Sequence, residues 1–349
     1  MVVSGLIIKF PYWLCWHLLR VFKQLNGMVF YVESEHDYYV IENILPHISY
    51  PYIIVANSQS TANKLKLQGL QVKVWPVFPK IIFMTRHAFH RFPIKAVKKI
   101  GIKHGTYHFK KMIHPKKYNA FDLYIFTTES EAKMVAEKGV KCGIVGGQPK
   151  LDTLFSQDTL KNSRKIKQQP GFDANKKTLL FTTTWDKSGL SAIDKWIDKL
   201  SELTAMYNIL VSMHPMMSKD YIDKVKSIPG ISIADSDNLP AYMVAADFLI
   251  GDTSSVMGEF CALNKPIITF VVKQSGRLTP EIKEMIKDIS VQIANIDELG
   301  QAVEKYIRQP DLKQTQRQKW SEVFYGDTER PHGNRVAEIV DSFIKKHSS

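Results

Sequence analysis

The chain is expected to fold as two open α/β units, each a parallel sheet covered on both faces by helices. Three observations predict this. Its 349 residues suit two domains better than one. Strand-like and helix-like segments alternate through both halves. A polar stretch from Ser156 to Lys177, holding Pro170 and Gly171, separates the two runs. The boundaries follow: a first domain over 1–160, a linker over 161–177 and a second domain over 178–349, with the last helix able to pack back on the first domain. Hydrophobic residues make up 44% and charged residues 23%, a balance that excludes long disorder.

In the first half, the apolar run Gly27–Val32 reads as a buried strand and Asp37–Leu45 as a helix. Tyr52–Ala56 is a second strand, followed by a short helix over Ser60–Gly69. Val72–Val77, Ile81–Met84 and Leu123–Thr127 read as further strands. Glu129–Lys138 is a helix stopped by Gly139, and Lys141–Val145 a strand. The alternation restarts with strand Thr178–Thr182 and helix Leu190–Tyr207. Ile209–Met213 is a strand, Asp220–Ile228 a helix and Ile231–Ala234 a short strand. Helix Leu239–Ala245 leads into strand Phe248–Ile250, and helix Ser254–Leu263 into strand Pro266–Val271. Helices over Pro280–Lys287, Ile296–Ile307 and Asn334–Lys346 close the chain. Open sheets of this kind bind ligands beyond the carboxyl ends of their strands, so a site is expected in a cleft where the two domains face each other.

Several classes fall away. No GxxxxGK[ST] phosphate loop is present, and no GxGxxG follows the first strand, so neither a P-loop kinase nor a standard dinucleotide dehydrogenase is expected. Cys15, Cys142 and Cys261 are odd in number and far apart, which gives no disulfide framework and no metal spacing. No metal and no cofactor are expected, and a reducing compartment fits.

Leu6–Phe22 is apolar but too short and too charged to span a bilayer. With Tyr12, Trp13 and Trp16 beside Lys9 and Arg20, it suits a helix lying in the membrane interface. An ordinary buried helix is the equal alternative. The net charge of +13 is localised. Lys80–Lys117 carries eleven Lys/Arg, five His and no Asp or Glu, while the remainder is nearly balanced. Such a stretch attracts phosphates, anionic lipid or nucleic acid, with a plain solvated face as the alternative. No RRM, zinc-finger or similar pattern accompanies it, which argues against nucleic acid.

The most informative segment is Leu249–Phe270 (LIGDTSSVMGEFCALNKPIITF). A strand ends at Gly251-Asp252, and Thr253, Ser254 and Ser255 open a helix. Free N–H groups and hydroxyls there make a phosphate site, and Glu259, one turn on, can accept from ribose hydroxyls. Plain helix capping is the alternative. His104 lies beside Gly105 in a loop and can take a proton from a hydroxyl near neutral pH, although most histidines are surface or capping residues. His214 follows the strand ILVSM, where Pro215 turns the chain; it can donate to phosphate oxygens, with a strand-end histidine bonded to backbone as the alternative.

The segment GDTSSVMGEFCALNKPIITF resembles the signature of the CDP-glycerol glycerophosphotransferases, the teichoic-acid primases and polymerases. Lys103-His104-Gly105-Thr106 is similar to the family's His-Gly-Thr element, and Gly147–Asp152 (GQPKLD) to its Gly-x-Pro-Arg-x-Asp element. Thr183-Thr184-Trp185 resembles its Pro-Thr-Trp turn, and Met213-His214-Pro215 its Leu-His-Pro element. Lys150 and Thr183 depart from the family's Arg and Pro. No copy of the acidic and aromatic segment that follows the Lys-Pro-Ile-Ile strand is found at Lys273–Pro280, which leaves the polyol open.

The resemblance implies a GT-B fold, a CDP-linked donor, a lipid-linked or saccharide acceptor and peripheral attachment to the cytoplasmic membrane face. It implies His104 and His214 as the catalytic pair. Asp252, Thr253, Ser254, Ser255, Glu259, Thr184 and Gly105 would hold the donor, with Asp152 supporting from behind. Arg86, Arg91, Lys98, Lys99, Lys110 and Lys111 would face the membrane or the acceptor, with Phe83, Phe89, Phe92 and Phe109 inserting at headgroup level. The competing reading on the same fold is a nucleotide-sugar glycosyltransferase or a UDP-N-acetylglucosamine 2-epimerase-like enzyme.

Overall fold

The computed structural model describes residues 2–103, 114–235, 238–254, 256–272 and 280–347, and side chains from residue 9 onward. The chain divides into two compact units. One comprises Met1–Asp152 and Tyr325–Ser349, the other Thr153–Phe324.

Among the described residues unit 1 holds seven strands: β1 (Asn26–Val32), β2 (Tyr52–Ala56), β3 (Val72–Val74), β4 (Pro79–Met84), β5 (Lys98–Ile102), β6 (Leu123–Phe126) and β7 (Gly143–Val145). All neighbours pair parallel, in the order β3-β2-β1-β4-β5-β6-β7. The central strands are apolar on both sides because both faces are covered. Phe30, Phe83, Ile100 and Ile125 pack on one face with Val336, Ala337, Val340 and Ile344 of the C-terminal helix His332–His347. Val29, Tyr31, Ile82 and Tyr124 pack on the other with Tyr12 and Trp16 of the N-terminal helix Val2–Val21.

Unit 2 holds six strands: β8 (Lys177–Thr182), β9 (Tyr207–Ser212), β10 (Ile231–Ile233), β11 (Phe248–Gly251), β12 (Ile267–Phe270) and β13 (Ser290–Ile293). They too are parallel, in the order β10-β9-β8-β11-β12-β13. Each sheet runs outward from its first strand in one direction and then, from its fourth, in the other. The turning points lie between β1 and β4 and between β8 and β11, the positions where such sheets bind ligands.

Most expected elements are found within a residue or two. The expected helix over Leu190–Tyr207 is not. In its place are 3₁₀ turns at Ile193–Lys195 and Ile197–Lys199 and a short helix Leu200–Leu203. Side-chain capture explains the break. The Ala192 N–H donates to Asp252 (3.0 Å) instead of joining a helical ladder, and Ser191 shares a hydroxyl hydrogen bond with Thr183 (2.8 Å). The polar stretch after Ser156 holds a helix, Gln157–Ile166, capped by the Ser156 hydroxyl accepting from the Thr159 N–H.

Among the described residues no helix is long and apolar enough to cross a membrane. One face of the N-terminal helix packs as the buried-helix alternative expects. Tyr12 Oη donates to the Val77 carbonyl (2.7 Å) and Trp16 Nε1 to the Pro79 carbonyl (2.9 Å), which fixes the inner face to unit 1. Phe10, Trp13, Leu14, Leu18 and Val21, spaced at three, four and seven, leave an apolar ridge on the outer face, with Phe22 following.

Candidate active site

Asp252 organises the turning point of unit 2. It follows the last residue of β11 and is completely buried. Its carboxylate accepts from the Thr183 hydroxyl (2.9 Å), the Thr184 hydroxyl (2.8 Å), the Thr184 N–H (3.0 Å) and the Ala192 N–H (3.0 Å). Thr183 and Thr184 follow β8, so the network ties together the two strands that flank the turning point. A buried carboxylate is tolerable only when so surrounded by donors. The Thr253 hydroxyl lies 3.1 Å from that of Thr184, and Ser254 Oγ accepts from the Val256 N–H at 3.4 Å. Thr184, Thr253 and Ser254 are half-buried, so their polar groups line the rim of a rigid floor. Glu259 lies in the first turn of the following helix, Val256–Ala262, and is half-buried.

His214 lies in the same unit, two residues beyond β9, the neighbour of β8. Its Nδ1 accepts from the Met216 N–H (3.1 Å). The proton of the neutral ring is then assigned to Nε2. Burial pushes its pKa below the ordinary histidine value, and the charge of Asp252 pulls the other way. The imidazole is therefore held neutral, with an N–H to offer.

Unit 1 carries a corresponding knot. Asp37, also completely buried, accepts from the Thr85 hydroxyl (2.8 Å), from Arg86 Nε (2.8 and 3.0 Å) and from the Glu33 and Ser34 N–H groups (both 3.0 Å). Sequence reading missed this residue; the signal was an aspartate just beyond the first strand. At the end of β5, Lys103 is ion-paired with the buried Glu131, whose other oxygen accepts from the Thr127 N–H (3.0 Å). The pair fixes the chain one residue before His104. His104, Gly105, Lys110, Lys111 and Phe109 lie outside the described residues, as does Ser255.

Asp152 and Lys265 both hold neighbouring backbone. Asp152 accepts from the N–H groups of His332 (2.9 Å) and Gly333 (2.6 Å), so it caps the C-terminal helix within unit 1. Gly333 allows the close approach: a Cβ there would stand 1.9 Å from the Asn43 carbonyl oxygen. Asp152→Ala should leave two buried donors unpaired and destabilise unit 1 by about 1–3 kcal/mol, read as a lower urea midpoint. Lys265, of the Leu-x-Lys-Pro-Ile-Ile segment, donates to the Val244 (2.6 Å) and Ala246 (2.8 Å) carbonyls that end the helix Leu239–Ala245. Burial pushes its pKa down to about 8. That part of the signature is structural.

The expected basic face needs correction over its described part. Lys99 turns inward and donates to the Ile94 and Val97 carbonyls (both 3.0 Å), and burial lowers its pKa. Arg86 is engaged by Asp37, and Lys98 pairs with Asp122 (2.9 Å). The Arg91 guanidinium stacks over Trp75, 5.0 Å from the ring centre. Phe83 and Phe92 are core residues and Phe89 is half-buried. Lys99, Phe83 and Phe92 thus belong to the interior, and Arg86 and Lys98 are each held by a carboxylate.

Comparison with known proteins agrees with this fold. A family profile described as CDP-glycerol:poly(glycerophosphate) glycerophosphotransferase matches residues 85–340, most of the chain. A teichoic acid poly(glycerol phosphate) polymerase of Bacillus spizizenii is 26% identical over 162 residues, 44% of this chain and 39% of that protein. The chain thus matches about two fifths of that relative's length. Among solved structures, the wall teichoic acid polymerase TagF superposes with a TM-score of 0.67 over 100% of both chains, at 12% identity. A UDP-GlcNAc 2-epimerase from Neisseria meningitidis gives 0.59 over 92% of this chain and 99% of that one, at 13% identity. At such identities the likeness is one of fold.

Proposed function

Since the chain belongs to the CDP-glycerol:poly(glycerophosphate) glycerophosphotransferase family, we propose that it transfers glycerol phosphate, or a related polyol phosphate, from a CDP-linked donor. The acceptor is a hydroxyl of a lipid-linked or saccharide molecule, in the making of a cell-surface polymer. The observation that carries this reading is the Asp252 knot at the turning point of unit 2, with His214 on the adjoining strand end.

The donor's diphosphate sits against Thr184, Thr253, Ser254 and Ser255. Asp252 receives no ligand itself. It holds the donors of this corner in place before the substrate arrives, and such preorganised groups need no reorganisation as charge develops. Glu259 accepts from the ribose hydroxyls. His214 donates its Nε2–H to a phosphate oxygen. His104, next in sequence after Lys103, takes the proton from the acceptor hydroxyl. That oxygen attacks the β-phosphorus in line, the bond to the bridging oxygen breaks, and CMP leaves. Positioning and charge neutralisation supply most of the acceleration. No metal or cofactor has a part in these steps.

The chain acts at the cytoplasmic membrane face as a peripheral protein, and the outer ridge of the N-terminal helix is its contact. The basic stretch contributes less than its composition implies, since much of it is internally paired.

Incubating the full-length protein with CDP-glycerol and candidate acceptors should release CMP. Turnover of a UDP-sugar alone would replace this reading with the nucleotide-sugar alternative.

A further inference from the structure

A depression of about 710 Å³ opens at the amino ends of β1, β4 and β5 in unit 1. Its polar lining is basic: Arg20 and Lys23 from the end of the N-terminal helix, Lys80 of β4, Lys98 of β5 and His347 at the end of the C-terminal helix. Trp16 forms part of the wall, with Arg20 5.6 Å from its ring centre. Among the described residues the lining includes no aspartate or glutamate. A cation at a helix carboxyl end is expected from the helix dipole, which accounts for Arg20. It does not account for Lys80 and Lys98, which come from strands and converge on the same space. Lys98 is partly satisfied by Asp122, whereas Arg20, Lys23 and Lys80 are exposed. The strands separate this depression from the carboxyl end of the sheet by about 20 Å, at about 3.3 Å per residue over the six residues of β4. The nucleotide donor therefore does not explain it.

We propose that this pocket takes the phosphate of an anionic membrane lipid headgroup, held by Arg20, Lys23 and Lys80. The same helix that supplies Arg20 and leads into Lys23 carries the outer apolar ridge of Trp13, Leu18 and Val21. One element thus joins a surface suited to the acyl boundary and a cluster suited to the phosphates just above it. A guanidinium grips phosphate through two parallel N–H donors, and the lysines add point charges. The proposal rests on the reading of that helix as the membrane contact, and it adds a headgroup site to that contact.

The test is sedimentation of the full-length protein with phosphatidylcholine vesicles, with and without phosphatidylglycerol. Each cation near an anionic surface contributes about 1 kcal/mol, about fivefold. The Lys23→Gln/Lys80→Gln pair should therefore weaken partition onto phosphatidylglycerol vesicles by roughly 25-fold and leave binding to pure phosphatidylcholine unchanged. A control pair on the same unit, Lys66→Gln/Lys73→Gln, makes an equal charge change and should cost less than about threefold through screening. Equal losses from the two pairs would mean bulk charge and would overturn the pocket. Trp13→Ser/Leu18→Ser addresses the membrane reading separately. It should weaken binding to both kinds of vesicle, and if it does not, the helix is not the contact. Titration with inorganic phosphate should show weak binding. Phosphate binding as tight as vesicle binding, and lost in Lys23→Gln/Lys80→Gln, would make this a free-anion site and overturn the headgroup assignment.

Discussion

Replacing Asp252 by asparagine should lower the stability of unit 2 by at least about 3 kcal/mol and reduce CMP release at least about a hundredfold. The two effects have one cause. The carboxylate receives two threonine hydroxyls and the N–H groups of Thr184 and Ala192 at once, in a fully buried position. An amide can accept at one oxygen only, and its NH₂ would point donors at donors. A hydrogen bond to a buried charged group contributes about 1.5–3 kcal/mol, and an orphaned donor costs about 1–3 kcal/mol. At least two bonds are lost. The measurement is urea unfolding followed by tryptophan fluorescence, because Trp185, Trp196 and Trp320 all belong to unit 2. Thr184→Val separates the roles. It removes one hydroxyl from the rim and should cost about tenfold in turnover with a smaller loss of stability. An Asp252→Asn protein as stable and as active as the parent would remove the knot from the proposed machinery.

The same knot shows how far the sequence could be read. The alternation of apolar runs with polar helical segments suffices for two parallel sheets, because burial on both faces leaves its mark directly in composition. It failed where charge or capture intervened. Lys98–Ile102 begins with two lysines and does not look like a strand, yet Lys99 is buried with its ammonium on backbone carbonyls. Leu190–Tyr207 has the composition of a helix, but Asp252 and Thr183 draw Ala192 and Ser191 out of it. The Asp252–Ala192 contact spans sixty residues of sequence, and no local pattern announces it. Asp37 was missed for the same reason, since its partners Thr85 and Arg86 lie 48 and 49 residues further along the chain. Motif matching has the complementary weakness. It gathers structural and chemical residues alike, so Asp152 and Lys265 stand in the signature although both cap helices.

His214 carries the other large effect. Its ring is fixed by the Met216 N–H on Nδ1, which directs the Nε2 proton away from the backbone. If that proton meets a phosphate oxygen as CMP departs, His214→Ala should lower kcat by about 10²–10³, in the range expected for one preorganised donor to a developing charge. His214→Gln can still donate from its side-chain amide and should recover part of the loss. The pH dependence gives an independent check. Burial lowers the pKa of His214 below the unfolded value of about 6.5. The unfolded chain therefore binds the proton first as pH falls. The contribution of the neutral ring to stability is complete above about pH 6.5 and is lost as the solution is acidified through the window below it. Urea midpoints taken at pH 7 and pH 5 should accordingly fall further for the parent than for His214→Gln, whose side chain does not titrate. Turnover should stay flat between pH 7 and 8 as far as His214 is concerned, because the ring is neutral throughout. An alanine variant that keeps kcat within threefold of the parent would show that the phosphate is held by other groups. Equal falls in midpoint from pH 7 to pH 5 for parent and glutamine variant would show instead that the ring is free to charge, and the assignment of a neutral donor would fall.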